Sequence, residues 1–326
     1  MKAILYGIFY AVSSAGETLA VKALNYNASP PVELPAYTAF LCNQMWILMI
    51  PIYWSLEKKP MLEYRFQYLG MGILTFAITL LRNISVNAIP GSIFALLIST
   101  SILFNIVLSS VILKKSFNRW HGAAAFACVC SAGIGSLFSY ETDVNYKVGI
   151  PTAIGAAFFS ALSSVWQEMI QPTWDDYNLR VVELTIVASL IASVLIVIYA
   201  MISGELFQWQ SVLIASTQTP SSLAIVVSMS MLFPLIKLVV RNSKYSIIKN
   251  SSAFFFEFVQ SSAALLCSLS SILLFNEPWG YAYIISLFLL AISFALYAHA
   301  KKKKVETVKA PELVIQNPLV VVRAWT

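Results

Sequence analysis

Two carboxylates stand where carboxylates are costly. Glu17 and Glu257 both sit inside long apolar runs, and an ionisable group placed in hydrocarbon marks a functional site by default. At roughly 1.5 Å of rise per helical residue, Glu17 lies about 21 Å along the first run and Glu257 about 15 Å into the ninth. Either can carry a proton across the low-dielectric layer. Gln260, Ser261, Ala264, Ser268 and Ser271 follow Glu257 at helical spacing, a polar small-residue stripe suited to lining a cavity. The same stripe also suits a close helix–helix contact. Asn105, with Ser101 and Ser109 one turn to either side, reads in the same two ways. Asn43, Gln44, Gln167 and Glu168 complete the buried polar set, Glu168 standing near the end of its helix at Gln171-Pro172. Four cations, Lys22, Lys237, Arg241 and Lys249, fall near span ends, where they either snorkel to headgroups or hold an anionic substrate. Lys237 and Lys249 are the pair placed to attract such a solute. Arg82, beside Asn83 and Asn87, is either an interface anchor or part of the opposite mouth.

No catalytic constellation accompanies them. The two histidines, His121 and His299, have no Ser or Cys nucleophile with an orienting acid nearby. Phosphate loops and dinucleotide fingerprints are missing, which argues against an ATP-driven pump. Cys42, Cys128, Cys130 and Cys267 all lie in apolar runs, so they read as packing residues and not as disulfides or metal ligands. The expectation is a chain that is not an enzyme and needs no cofactor and no metal. Any uphill work must come from exchange or from a proton gradient through Glu17 or Glu257.

The elements that hold these groups follow from composition. Of 326 residues, 59% are hydrophobic and 11% charged, with mean hydropathy +0.76. Soluble domains carry roughly 45–50% apolar and about 25% charged residues. Most of this chain must therefore face lipid. Runs of about 20 apolar residues suffice to cross the hydrocarbon core, and ten are found, at 3–24, 35–56, 66–85, 88–113, 121–140, 147–170, 182–203, 212–240, 247–275 and 280–300. The first also carries the features of a cleaved signal peptide, Lys2 ahead of an apolar run and Ser13-Ser14-Ala15-Gly16.

A formal charge of +6 does not form a nucleic-acid patch, because the basic residues sit in short loops and in Lys301–Lys304. The bias of Lys and Arg toward cytoplasmic loops places Glu57–Arg65, Lys114–Arg119, Arg241–Lys249 and both termini inside. Residues 301–326 read as a flexible cytoplasmic tail. Of the sequons at Asn27, Asn83 and Asn250, only Asn27 then faces the glycosylating side.

The chain echoes itself. A shift of 150 residues lays Phe9–Ser14 over Phe159–Ser164, and a shift of 161 lays Leu108–Leu113 over Leu269–Leu274. Five spans per copy is an odd number, so the copies enter the membrane in opposite senses, as in carriers with a midplane site between inverted repeats. The expected fold is an all-α integral membrane protein, ten transmembrane helices as two inverted five-helix repeats, 1–140 and 147–300.

Ten spans, the five-plus-five repeat and two residue strings together resemble the drug/metabolite transporter superfamily. Ser163-Ser164-Val165-Trp166-Gln167-Glu168 is similar to the sixth helix of its solute-carrier-35 group. Asn276-Glu277-Pro278-Trp279-Gly280 is similar to the turn before the last helix, whereas Lys114–Trp120 departs from the corresponding turn of the first half. Arg180–Leu184 and Lys244–Lys249 resemble nucleotide-sugar transporters, although Ser246-Ile247-Ile248 stands where that branch has an Asp-Asn pair. The stretch Tyr140–Ala200 equally resembles the chloroquine-resistance-transporter-like branch, and plant purine permeases share the superfamily architecture. The resemblance implies a central cavity from helices 1–4 and 6–9, with helices 5 and 10 peripheral.

The resulting expectation is a secondary active transporter working by alternating access on a small polar organic metabolite. A nucleotide sugar or related anionic solute moved by exchange comes first. A proton-coupled carrier of amino acids, peptides, purines or drugs out of an organelle is the alternative, and a non-transporting membrane adaptor is the rival from another class. Glu17, Asn43, Asn105, Gln167, Glu257, Gln260, Lys237 and Lys249 form the expected substrate cavity. Partners are the solute and membrane lipid, with no nucleic acid and a homodimer open as an assembly. The expected location is an intracellular organelle, of Golgi, endoplasmic-reticulum or lysosome-like type.

Overall fold

The computed structural model describes residues 2–27, 34–56, 65–138, 145–174, 176–209, 220–275 and 281–308. Among them the regular structure is helical. The long helices are α1 (Lys2–Asn27), α2 (Pro35–Asn43), α3 (Met45–Ser55), α4 (Arg65–Ala88), α5 (Gly91–Ile98), α6 (Ser101–Ile112), α7 (Arg119–Phe138), α8 (Tyr146–Ile170), α9 (Tyr177–Ser203), α10 (Pro220–Asn250), α11 (Ala253–Phe275) and α12 (Tyr281–Val308).

Five stretches among the described residues are long and apolar enough to cross a membrane: Lys2–Val21, Phe66–Ala88, Ile93–Ile112, Tyr146–Ile170 and Tyr177–Ser203. Burial is arranged accordingly. Large apolar side chains such as Val111, Ile202, Leu273 and Phe288 are exposed, while Asn43, Asn105, Gln167 and Glu257 are fully enclosed. A bundle packed this way has lipid as its outer solvent, because hydrocarbon cannot satisfy polar groups and they must turn inward. The chain is a multi-pass membrane protein.

Two apolar runs read as single spans are interrupted. Asn43 and Gln44 donate their side-chain amides to the carbonyls of Ala39 (2.8 Å) and Phe40 (3.0 Å), so the run 35–56 breaks into α2 and α3 at Gln44. Ser99 and Thr100 return their hydroxyls to Leu96 and Leu97 (2.7 Å for Thr100), dividing 88–113 into α5 and α6. Side-chain bonds of this kind compete with the helical ladder and bend it.

The larger correction concerns Arg241–Lys249, expected as a cytoplasmic loop. It is helix, the last third of α10, and the chain turns only at Ser251–Ser252. Ser252 accepts the Phe255 N–H on its hydroxyl (3.1 Å) and so caps α11. Glu257 is therefore about 6 Å, not about 15 Å, from the start of its helix at 1.5 Å per residue, yet it is wholly buried. The first run is one continuous helix packed on α10 and α11. The final helix continues through Lys301–Lys304 to Val308, where the tail was expected to begin; 309–326 and the Asn276–Gly280 turn lie outside the described residues.

Packing places α1 against α10 and α11, and α8 against α4, α5 and α6. Helices α2 and α3 lie on α9, α11 on α5 and α6, and α7 chiefly on α12. Close approach depends on small residues: a Cβ at Gly72 of α4 would stand 2.7 Å from Ile191 Cβ on α9. The ends are tied across the bundle. Glu205 accepts the N–H groups of Ala36 (2.8 Å) and Tyr37 (3.0 Å) at the start of α2. At the other end Glu168 pairs with Lys115 and accepts the Ala253 N–H (3.2 Å) that opens α11.

Candidate functional site

Helices α1, α4, α5, α8, α10 and α11 surround one cavity of about 900 Å³, its open mouth included. Aromatic side chains come from Tyr10, Phe94, Tyr245 and Phe256, and polar groups from Ser14, Thr18, Thr75, Thr79, Ser160, Ser163 and Gln260. Four cations, Arg82, Lys237, Arg241 and Lys244, complete the polar lining. A largely apolar cleft with a few converging polar groups is the usual form of a small-molecule site.

Behind the wall run two networks. In the first, Lys237 Nζ lies 2.7 Å from Glu17 Oε1 and Arg82 Nη1 3.2 Å from Glu17 Oε2. Arg82 also donates to the Thr18 hydroxyl. One carboxylate on α1 thus neutralises cations from α4 and α10, as a buried charge requires. In the second, the Gln260 carbonyl oxygen accepts from Tyr10 and Ser160 hydroxyls, both at 3.2 Å. Its amide nitrogen donates to Ser101 (3.3 Å), and Ser101 donates to Glu257 Oε2 (2.5 Å). A continuous hydrogen-bonded chain therefore leads from the cavity wall to an enclosed carboxylate.

Of the residues expected to form the cavity, Lys237 and Gln260 line it. Glu17 stands directly behind Lys237 and Arg82, and Glu257 stands behind Ser101 and Gln260. Asn43, Asn105 and Gln167 are buried elsewhere in the bundle and are not part of the lining. Asn105 accepts from Ser109 on its own helix (3.1 Å). Lys249 is exposed at the end of α10, its ammonium 3.5 Å from the centre of the Tyr177 ring, so it is not a cavity residue. Its chain position looked right only while Arg241–Lys249 was read as a loop. Conversely Arg82, read as a mouth or interface residue, is inside.

The residues missed are Tyr10, Phe94, Phe256, Thr75 and above all Lys244. Aromatic side chains carry no contrast in an apolar helix, so nothing in composition singled them out. The cations did carry a signal: Lys237, Arg241 and Lys244 are spaced by four and three, one face of one helix.

Chemically, the cavity combines flat apolar surfaces with an amide that both donates and accepts, and with fixed positive charge. That suits a small planar heterocycle with hydrogen-bonding edges. Residues 4–307 match the family described as purine nucleobase transmembrane transport. The chain belongs to that family. No curated protein matches it. Among solved structures, one crystal structure of a protein superposes with a TM-score of 0.60 at 15% identity, covering 92% of this chain and 98% of its own. At that identity the likeness is one of fold.

Proposed function

We propose that the protein is a secondary carrier that moves purine nucleobases through its membrane by alternating access. The observation that carries the reading is the meeting, in one cavity, of the Tyr10, Phe94 and Phe256 rings with the Gln260 amide. Rings offer apolar surface against which a purine packs, and the Gln260 amide, whose oxygen already accepts two hydroxyls, keeps one N–H for an acceptor on the purine edge. Family membership favours purines, one of the alternatives above, over the nucleotide sugars placed first.

Alternating access rests on pairings that repeat. Counting α2–α3 and α5–α6 as one span each gives ten segments in two sets of five. The first span packs on the eighth and ninth, and the sixth packs on the third and fourth. The second meets the seventh, the fourth meets the ninth, and the fifth meets the tenth. Each pairing has its partner under exchange of the two sets, which supports inverted repeats at 1–140 and 147–300 within a drug/metabolite-transporter-like fold. With ten spans both termini lie on one side of the membrane, the cytoplasmic side by the bias of Lys and Arg.

Proton coupling falls to Glu257 and not to Glu17. Glu17 is engaged by two cations and releasing them would leave charge unpaired, whereas the bond that Glu257 accepts comes from the Ser101 hydroxyl. A hydroxyl can turn to serve a protonated carboxyl equally well.

The test is counterflow in proteoliposomes preloaded with unlabelled adenine or hypoxanthine. Accumulation of labelled purine, absent from empty liposomes, is the expected result. Trans-stimulated uptake of a nucleotide sugar in place of purine overturns the reading. An adaptor that transports nothing would show neither.

A further inference from the structure

Lys237, Arg241 and Lys244 form a row of like charges at i, i+4 and i+7 on α10, and all three face the cavity. Neighbouring like charges on one helix face repel, and repulsion grows where water is excluded. Lys237 is answered by Glu17 at 2.7 Å. The next two are not answered. Arg241 donates to the hydroxyls of Ser189 (2.8 Å) and Thr75 (2.7 Å). Lys244 donates to the Ser163 hydroxyl (3.1 Å) and lies 5.0 Å from the centre of the Phe256 ring. Among the described residues, no carboxylate is within ion-pair distance of either.

Across the cavity, four cations (Arg82, Lys237, Arg241, Lys244) thus stand against two carboxylates, Glu17 and Glu257. Hydroxyls satisfy the donors of a guanidinium or ammonium, but they do not cancel its charge. The surplus sits beside Tyr245 and Phe256 in the lining, so the missing counter-charge belongs on a flat ring.

We propose that the substrate is an anionic oxopurine, a purine whose ring has lost a proton, held with its negative edge between Arg241 and Lys244. This rests on the purine reading and narrows it. Arg241 presents two donors in a plane, which suits adjacent oxygen and nitrogen acceptors on such an edge. Gln260 and the hydroxyl-bearing residues take the remaining edge. Amino-purines such as adenine, neutral at pH 7, bring no charge and leave the surplus standing.

The experiment measures binding to the purified full chain in detergent with urate, xanthine, adenine and inorganic phosphate as probes, at two pH values on either side of xanthine ionisation. Urate is expected to bind at least about ten-fold more tightly than adenine. Xanthine should gain affinity at the higher pH while adenine does not, a comparison that needs no variant. Arg241→Gln and Lys244→Gln should each weaken urate about ten-fold or more and adenine less than about three-fold. Arg241→Lys, which keeps the charge, should retain the preference in part, and a cooperative thermal unfolding transition close to that of the parent shows each variant folded. Equal affinity for urate and adenine overturns the proposal, as does a urate preference that survives both neutralisations. Phosphate binding as tight as urate also overturns it, because the site then holds any small anion. If purines bind without charge preference, this inference alone falls. If no purine binds, the transport reading falls with it.

Discussion

Lys237 Nζ and Glu17 Oε1 meet at 2.7 Å, joining α10 to α1 across 220 positions of sequence. With Arg82 on the second oxygen, the pair ties three helices around one carboxylate. Both partners are largely enclosed, Glu17 at 2% and Lys237 at 11% side-chain exposure. Removing one member of such a pair strands the others, at a cost of about 3–5 kcal/mol. Glu17→Gln is therefore expected to lower unfolding stability in detergent by that order. The double variant Glu17→Gln/Lys237→Met should recover part of the loss, leaving Arg82 as the remaining unpaired charge. A single variant as stable as the parent would disprove the structural role of the triad.

Glu257 makes a different kind of contact. It accepts from Ser101 at 2.5 Å and stands at the end of the chain through Gln260 to Tyr10. Glu257→Gln preserves the shape and the hydrogen bond but cannot release a proton. Counterflow of purine, which needs no proton movement, should stay within about three-fold of the parent, while accumulation driven by a pH gradient disappears, a separation expected when only the coupling group is lost. Persistent gradient-driven uptake would assign the proton to another group.

How far the sequence foretold the site depends on the residue type. Helical runs were legible, because a span must be apolar for about 20 residues. Glu17, Lys237, Gln260 and Glu257 stood out because polar groups are rare in such runs, and the structure sets all four in or directly behind the cavity wall. Arg241 was read either as a snorkelling cation or as one that holds an anionic substrate, and Lys244 only as part of a cytoplasmic loop, since Lys and Arg usually mark one. Their four-and-three spacing from Lys237 was the contrary signal. The breaks at Gln44 and Ser99 depend on side-chain bonds back to the main chain, which a hydropathy pattern does not register. Tyr10, Phe94 and Phe256 look inward, but nothing in the chain distinguishes them from rings that face lipid.

Gln260 holds the centre of the polar wall, engaging Tyr10, Ser160 and Ser101 at once. Leucine in its place keeps the volume but strands those hydroxyls and offers the substrate nothing to pair with. Losing such bonds costs about 1–3 kcal/mol, so Gln260→Leu should weaken purine binding about 10- to 100-fold. Tyr10→Phe removes one bond and keeps the ring, and its effect should be several-fold smaller. Competition binding with a labelled purine checks both. Equal losses in the two variants would mean that the ring, and not the amide, orients the substrate.

The frame that holds Thr75 and Arg82 in place depends on how near α4 approaches α9. At Gly72 an added Cβ would meet Ile191 Cβ and Cγ2 at 2.7 Å, closer than packed carbons tolerate. Ile191 Cβ is fixed to its own backbone and cannot swing away. Gly72→Ala therefore has to push two helices apart, and overpacking of this kind costs about 1–3 kcal/mol. Ile191→Ala would leave Cβ in place but free the branch atoms, so the double variant should be less destabilised than the sum of the singles. Gly122 of α7 is the control, with nothing within 4 Å of its added Cβ. There alanine should be neutral or stabilise by up to about 1 kcal/mol through helix propensity alone. Thermal unfolding of the three variants in detergent decides the matter. A Gly72→Ala protein that melts like Gly122→Ala would show that α4 and α9 are not in close contact at this point.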